Sequence, residues 1–107
     1  MTSRNFPHSG RLGAWTTKIA REDMIAIATI AVPSLPGFGH FVVPFGGREG
    51  RLATNPGSWA APTNGNPVVV DMATATMAEG KIRAARAEGR ALPPGQVINS
   101  EGRTITD

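Results

Sequence analysis

The side chains best suited to proton exchange and anion binding lie near the start of the chain. His8 is one of two histidines, and imidazole exchanges protons readily near neutral pH. Ser9 to Leu12 follow at the predicted start of a helix, where free backbone N–H groups attract phosphate. Gly10 permits close approach of a ligand, and Arg11 adds a positive charge that can pair with a phosphate. The alternative is a loop histidine beside an ordinary helix cap with a solvated arginine.

A second candidate group follows a run of three valines. Asp71 offers a carboxylate that can accept hydrogen bonds from ribose hydroxyls, but it can equally cap a following helix, with Met72 in the core. Lys81 can face a phosphate, although a solvated lysine on a helix surface explains it as well.

Several kinds of site are excluded by what the sequence lacks. It has no cysteine, which excludes disulfides, thiolate catalysis and cysteine-based metal sites. The spacing of His8 and His40 does not suggest a metal site, so none is predicted. No Walker loop is present and no G-x-G-x-x-G motif follows a strand, which argues against a Rossmann fold. No stripe of aromatic and basic residues indicates nucleic-acid binding.

The bulk properties predict one small globular domain at most. The chain has 107 residues, of which 40% are hydrophobic and 18% charged. The net charge of +3 is scattered, which suits a solvated surface, an anionic ligand or nucleic acid. No signal-peptide pattern is present, and the longest apolar run, Met24 to Val32, is far shorter than the ~20 residues that a membrane span needs. We expect a cytoplasmic protein with no membrane partner.

A predicted helix over residues 11–22 positions the histidine segment. Leu12, Trp15 and Ile19 recur at helical spacing and predict one buried apolar stripe. Ser9 is the predicted N-cap of this helix.

The remaining pattern predicts an α/β chain with short connections. The expected strands are at 24–32, buried on both faces, and at 58–61, 68–70 and 97–98, the last before a polar tail. Between them we expect a loop at 33–39, a short apolar stretch at 41–45, and turns at 46–47 and 63–66. A helix is expected at 74–88, stopped by Gly89, with Ala78, Ile82 and Ala85 on one face and with Glu79 paired to Arg83.

Four segments resemble the malate/L-lactate dehydrogenase family, which also includes ureidoglycolate, sulfolactate and piperideine-2-carboxylate enzymes. One such motif would be weak, but the four occur in the family's order and at nearly its spacing. The resemblance implies an α/β fragment of the malate/L-lactate dehydrogenase-like fold, with a mixed sheet and flanking helices, which is not Rossmann. The segments are Arg4 to Gly13, similar to "RN..H.GRLG"; Val43 to Leu52; Thr54 to Pro56, as in "GTNP"; and Val70 to Thr74, like "LDMATS", followed by Gly80-Lys81.

The resemblance implies that residues 1–107 are a partial NAD(P)-binding and catalytic domain. It covers the middle part of family members, without their "SHG" segment and their glycine-rich C-terminal segment. The implied reaction is hydride transfer between NAD or NADP and C2 of a 2-hydroxy acid such as malate, lactate or ureidoglycolate, without a metal, in a homodimer. Two alternatives remain open. One is an inactive truncated fragment with at most partial cofactor binding, and the other is a small basic nucleic-acid-binding module.

The resemblance also assigns roles to individual residues. His8 matches a position that accepts a proton in some members and contacts the cofactor in others. Thr54 matches a threonine that contacts substrate, although it can also simply form a turn. Ala53 replaces the family's usual glycine and puts a Cβ where the backbone needs freedom. Cofactor contacts are expected at His8, Ser9, Gly10, Arg11, Leu12, Ser34, Asp71, Met72 and Ala73.

Overall fold

The computed structural model describes residues 8–31 and 41–106. Ser34 and the predicted loop at 33–39 lie outside the described residues. The chain divides into two compact units, Met1–Thr29 with Pro56–Met72 and Ile30–Asn55 with Ala73–Asp107. The helices and strands are α1 (Leu12–Ala20), β1 (Ala26–Thr29), β2 (Gly57–Ala61), β3 (Val68–Met72), α2 (Glu79–Ala87), β4 (Val97–Ile98) and β5 (Thr104–Ile105).

The first unit consists of α1 packed on a three-stranded sheet in the order β1-β2-β3. Both strand pairs are antiparallel, and so is the β4-β5 pair of the second unit. The α/β class is as predicted. The parallel pairing that a mixed sheet requires does not occur among the strands that the structure describes. Strands β2 and β3 are joined by the predicted turn, in which the Thr63 hydroxyl donates to the Asn66 carbonyl at 2.9 Å.

The start of α1 differs from the prediction in its cap. The N-cap is Arg11, which makes no side-chain capping bond, so the prediction of Ser9 as N-cap is wrong. Ser9 lies two residues too early for its hydroxyl to reach the first free N–H groups of the helix. Its carbonyl instead accepts a hydrogen bond from the Trp15 indole Nε1–H at 2.9 Å.

The buried stripe of α1 is also different. Gly13, Thr16 and Ala20 are buried together with Leu12, whereas Trp15 is 59% exposed and Ile19 is 42% exposed. The predicted stripe of large residues is therefore wrong at two of its three positions. The helix buries small side chains instead, which allow its backbone to lie close to the sheet.

Strand β1 is shorter than predicted and is not buried on both faces. Ala26 is buried, but Ile25 and Ile27 are exposed. An isoleucine-rich run shows a preference for extended backbone, but it does not show whether a second layer covers the sheet. The prediction of a doubly buried strand is therefore wrong for the described residues.

A buried hydroxyl pair joins α1 to the middle strand. The Thr16 and Ser58 hydroxyl oxygens lie 2.7 Å apart, and the Ser58 hydroxyl also donates to the Val70 carbonyl at 2.9 Å. Thr16 is 1% exposed and Ser58 is 0% exposed. The surrounding core consists of small apolar residues, namely Ala20, Ala26 and Ala60 with Val69 against them. The hydroxyls therefore fill the helix–sheet contact and satisfy each other's hydrogen-bonding capacity.

The second unit contains α2, which begins five residues later than predicted. Its C-cap is Glu88, and Gly89 follows the helix as predicted. The predicted Glu79–Arg83 pair is confirmed, with Arg83 Nε 3.0 Å from the carboxylate. Of the predicted apolar face only Ala85 is fully buried. No helix among the described residues is long and apolar enough to cross a membrane.

Three other local predictions can be compared with this unit. The turn at 46–47 is confirmed, because the Gly47 N–H donates to the Pro44 carbonyl at 2.8 Å. The strand at 97–98 is confirmed as β4. The predicted polar tail is not wholly irregular, since Thr104–Ile105 forms β5 and pairs with β4.

We predict that Thr16→Val destabilises the chain by about 1–3 kcal/mol, because it leaves the buried Ser58 hydroxyl without one of its two partners. Chemical denaturation followed by far-UV circular dichroism measures the change. Thr29→Val, the same substitution at an exposed strand position, should change stability by less than about 0.5 kcal/mol. Equal effects of the two substitutions would contradict the importance of the buried pair.

Candidate functional site

The imidazole of His8 is held by its own segment. Its Nδ1 accepts a hydrogen bond from the Gly10 N–H at 2.9 Å, and Gly10 has a φ of +71°. Such a φ favours glycine, so the tight turn depends on this residue. Because Nδ1 accepts, it carries no proton, and the neutral ring then carries its proton on Nε2. His8 is exposed, so it offers a hydrogen-bond donor at the surface of the unit.

The same segment leads into an uncapped helix start. Trp15 fixes the Ser9 carbonyl, and within the described residues no side chain caps the first N–H groups of α1. Uncapped N–H groups at a helix start carry partial positive charge and can bind an anion. Leu12 is buried, so only its backbone is available for such a contact.

An ion pair links this segment to the end of β3. Arg11 Nε lies 3.2 Å from Asp71 Oδ2, although the two residues are sixty positions apart. The Arg11 side chain is 72% exposed, whereas the Asp71 side chain is only 23% exposed. The pair uses Nε, so within the described residues the two terminal guanidinium nitrogens have no protein acceptor. Asp71 Oδ1 likewise remains available to accept a hydrogen bond.

Gly13 allows the carboxylate to lie against the helix. A Cβ on this glycine would lie 2.5 Å from Asp71 Oδ2 and 2.9 Å from Asp71 Cβ. Asp71 is the register partner of Ser58, so it projects from the sheet on the side that faces α1. The absence of a side chain at position 13 therefore sets the distance between the helix start and the end of β3.

Asp71 and Met72 do not take the purely structural roles that were the alternative to cofactor binding, a helix cap and a core residue. Asp71 lies in β3 and caps no helix, since α2 begins only at Glu79. Met72 is 53% exposed and is not a core residue. Ala73 belongs to the second unit, and Lys81 is exposed on α2.

Thr54 lies in the second unit, where its backbone is fixed. Its carbonyl accepts hydrogen bonds from both the N–H and the hydroxyl of Thr74, each at 3.0 Å. Its own hydroxyl bonds to no residue in the described part of the chain. The residue with positive φ in this motif is Asn55, at 34°, and not Ala53. The alanine that replaces the family's glycine is therefore compatible with this backbone.

Asn55 is a candidate that the sequence interpretation missed. Its side-chain Oδ1 is buried and has no hydrogen-bond partner among the residues that the structure describes. Buried amide oxygens are almost always bonded, so this atom needs an explanation. The sequence did offer one indication, because Asn55 stands between Thr54 and Pro56 in the segment that resembles the family's "GTNP". An asparagine beside a proline also suits an ordinary turn, so this indication was weak.

The predicted site residues are divided between the two units. His8, Ser9, Gly10, Arg11, Leu12, Asp71 and Met72 belong to the first unit, whereas Thr54 and Ala73 belong to the second. Ser34 falls outside the described residues. Within residues 8–31 and 41–106, no three histidine or carboxylate side chains cluster as metal ligands would.

Comparison with known proteins places these features in a family. The family model described as Malate/L-lactate dehydrogenase matches residues 1–107. A malate dehydrogenase of Pyrococcus abyssi is 40% identical over 99 residues, which are 92% of this chain and 26% of that protein. A (2R)-3-sulfolactate dehydrogenase (NADP(+)) of Chromohalobacter salexigens is 35% identical over 101 residues, which are 94% of this chain and 28% of that protein.

A solved structure gives the same result for the fold. A dehydrogenase from Sinorhizobium meliloti superposes with a TM-score of 0.83 at 34% identity, covering 94% of this chain and 28% of that one. The predicted α/β fold, a fragment of the malate/L-lactate dehydrogenase-like fold, is thus confirmed. The chain spans little more than a quarter of the length of these proteins.

We predict that Gly13→Ala lowers stability by about 1–3 kcal/mol, because the new methyl group collides with the Asp71 side chain. Gly80→Ala is the matched control. It lies in α2 with nothing within 4 Å of an added Cβ, and we expect it to raise stability by up to about 1 kcal/mol. Denaturant unfolding of both variants measures the difference. A stabilised Gly13→Ala variant would show that Asp71 does not lie against the helix.

Proposed function

Because this chain belongs to the malate/L-lactate dehydrogenase family, we propose that it provides part of the nicotinamide-dinucleotide site of a 2-hydroxyacid oxidoreductase. The Arg11–Asp71 pair is the observation that carries this proposal. It joins two segments that the family resemblance assigns to the cofactor and that are far apart in sequence.

The hydrogen-bonding groups around this pair suit a phosphate and a ribose. Asp71 accepts a hydrogen bond from Arg11 Nε, so the two terminal guanidinium nitrogens remain available. These nitrogens can donate a pair of hydrogen bonds to phosphate oxygens, which is a contact that arginine favours. The uncapped start of α1 adds backbone N–H donors beside Arg11. Asp71 Oδ1 is an acceptor for a ribose hydroxyl. These donors and acceptors therefore fit NAD and NADP alike, and the cofactor, when bound, supplies hydride transfer.

The hydrogen bond at His8 supports one of the two roles that the resemblance offers. A general base needs an unprotonated nitrogen that faces the substrate, but Nδ1 of His8 is occupied by the Gly10 N–H. The neutral ring presents Nε2–H, which can donate to an amide carbonyl or a phosphate oxygen. We therefore assign His8 to holding the cofactor in this conformation, and the proton acceptor to a residue elsewhere in the complete site.

We propose that Thr54 contacts the substrate. The Thr54 hydroxyl can donate to a carboxylate or a carbonyl oxygen of a 2-oxo acid. Relatives named for malate and 3-sulfolactate support a small 2-hydroxy acid as the substrate class.

The complete enzyme requires more polypeptide than these 107 residues. Hydride transfer needs both reactants held in near-attack geometry, and this chain spans little more than a quarter of its relatives. We accordingly propose that the chain binds the dinucleotide in part, and that the complete protein acts as a cytoplasmic dimer.

We predict that the chain binds NADH or NADPH and that Arg11→Gln weakens this binding about tenfold or more. Each charge-assisted hydrogen bond to phosphate contributes about 1.5–3 kcal/mol, and 1.4 kcal/mol corresponds to tenfold in affinity. The increase in nicotinamide fluorescence on titration with protein gives the dissociation constant. Arg21→Gln makes the same charge change at the exposed C-cap of α1 and should leave binding unchanged. No binding by the parent chain, or equal losses in both variants, would refute the proposed site.

A second expectation concerns turnover. With malate or L-lactate and either oxidised cofactor, the isolated chain should form no reduced nicotinamide above a protein-free blank, as judged by absorbance. The reason is the missing part of the site and not a lack of cofactor affinity. Turnover above the blank would show that the chain carries a complete site.

A further inference from the structure

The turn between β2 and β3 contains the one asparagine of the chain that precedes a glycine, Asn64. An asparagine in this position is prone to lose its side-chain amide, because the glycine has no side chain to keep its backbone nitrogen away from the asparagine Cγ. Asn64 and Gly65 are both exposed. The hydrogen bonds of this turn are made by the Thr63 hydroxyl and not by the Asn64 side chain. The Asn64 amide is therefore accessible to water and to the neighbouring backbone nitrogen.

The Thr63 hydroxyl holds the nitrogen that would react. Its Oγ1 accepts a hydrogen bond from the Gly65 N–H at 3.0 Å and donates one to the Asn66 carbonyl at 2.9 Å. A hydroxyl has one proton to donate and can also accept, so both bonds can exist at once. The Gly65 N–H must leave Thr63 Oγ1 before it can lose its proton and before the nitrogen can approach the Asn64 side chain.

We propose that Asn64 is a site of spontaneous deamidation and that the Thr63 hydroxyl slows this reaction. The Gly65 nitrogen gives its proton to hydroxide and attacks Asn64 Cγ. A bond forms between the Gly65 nitrogen and Cγ, the bond from Cγ to Nδ2 breaks, and the leaving group takes a proton from water and departs as ammonia. Water then opens the resulting succinimide ring at either carbonyl carbon and leaves aspartate or isoaspartate at position 64.

The other asparagines among the described residues lack this combination of features. Asn55 and Asn66 precede proline, whose nitrogen has no proton to lose. Asn99 precedes a serine, and its Oδ1 accepts hydrogen bonds from the N–H groups of Glu101 and Arg103, each at 3.0 Å. The fold therefore fixes the Asn99 side chain, which makes deamidation selective for the turn between β2 and β3.

The reaction changes the charge of the chain, so it can be followed without a ligand. A neutral amide becomes a carboxylate, and the net charge of +3 falls by one. The modified chain therefore separates from the parent chain on ion exchange. This proposal is independent of the proposed dinucleotide site, since it involves neither Arg11 nor Asp71.

The first test is incubation of the chain in mildly alkaline buffer. We expect an acidic form to accumulate, and we expect peptide fragmentation in a mass spectrometer to place the gain of one mass unit at Asn64 before any other asparagine. Gly65→Ala should slow the reaction severalfold, because the methyl group hinders the approach of the nitrogen. The structure accommodates this change, since the nearest atom to an added Cβ is Thr63 Oγ1 at 4.0 Å. The absence of an acidic form, or a first modification at another asparagine, would overturn the proposal.

The second test removes the restraining hydroxyl. Thr63→Val should speed deamidation about two- to tenfold, which corresponds to the loss of one hydrogen bond that has to break before the attack. Thr63→Ala also lacks the hydroxyl and should act in the same way, whereas Thr63→Ser keeps it and should react at the parent rate.

The same variants in denaturant are the control, because the hydrogen bond from Gly65 to Thr63 exists only in the folded turn. All of them should then deamidate at one common rate. A parent rate in folded Thr63→Val and Thr63→Ala would overturn the role of the hydroxyl. An equal acceleration of both variants in denaturant would do the same, since the effect would then belong to the local sequence and not to the fold.

Discussion

The close approach of α1 to the sheet is the constraint on which the first unit depends. Gly13 has no side chain where the Asp71 carboxylate lies, and Thr16 reaches Ser58 directly through a buried hydroxyl contact of 2.7 Å. A larger residue at either helix position would move the helix away from the strands. The helix start, the His8 segment and the end of β3 would then separate, and the Arg11–Asp71 pair would lengthen with them.

This contact contributes little hydrophobic free energy, because its core side chains are mostly alanine. Each buried methyl or methylene group contributes only about 0.8 kcal/mol. The hydroxyl pair gives direction to the contact, since its hydrogen bonds are satisfied at one helix position and one strand register. The unit thus fixes the relative positions of a cation, a carboxylate and a helix start without a large core.

The sequence predicted correctly the turns and strands that local backbone preferences determine. Its prediction was wrong for the buried side of α1, which is determined by a tertiary contact. The turn at 63–66 and the strand of three valines follow from local backbone preferences, and both are present. The buried side of α1 was wrong because hydrophobicity favours Trp15 and Ile19, whereas the short distance to the sheet requires glycine, threonine and alanine.

The candidate site, too, could be predicted from the sequence only in part. The resemblance selected the segments around His8 and Asp71, but no local rule indicated that Arg11 would reach a carboxylate sixty positions away. The hydrogen bond that occupies His8 Nδ1 and the unpartnered Asn55 amide are also products of the folded backbone. Residue types and motif order identify candidates, and the geometry alone decides which atoms remain available.

The alternation of side chains along β2 has a consequence for how this chain can change length in evolution. Ser58 and Trp59 are neighbours in sequence but point to opposite faces of the sheet, so a one-residue insertion or deletion inside the strand would exchange them. The indole would then collide with the helix, and the hydroxyl would lose its partner. Length variation among relatives should therefore be excluded from β2 and concentrated in the turn that follows it, where an added residue changes neither face of the sheet.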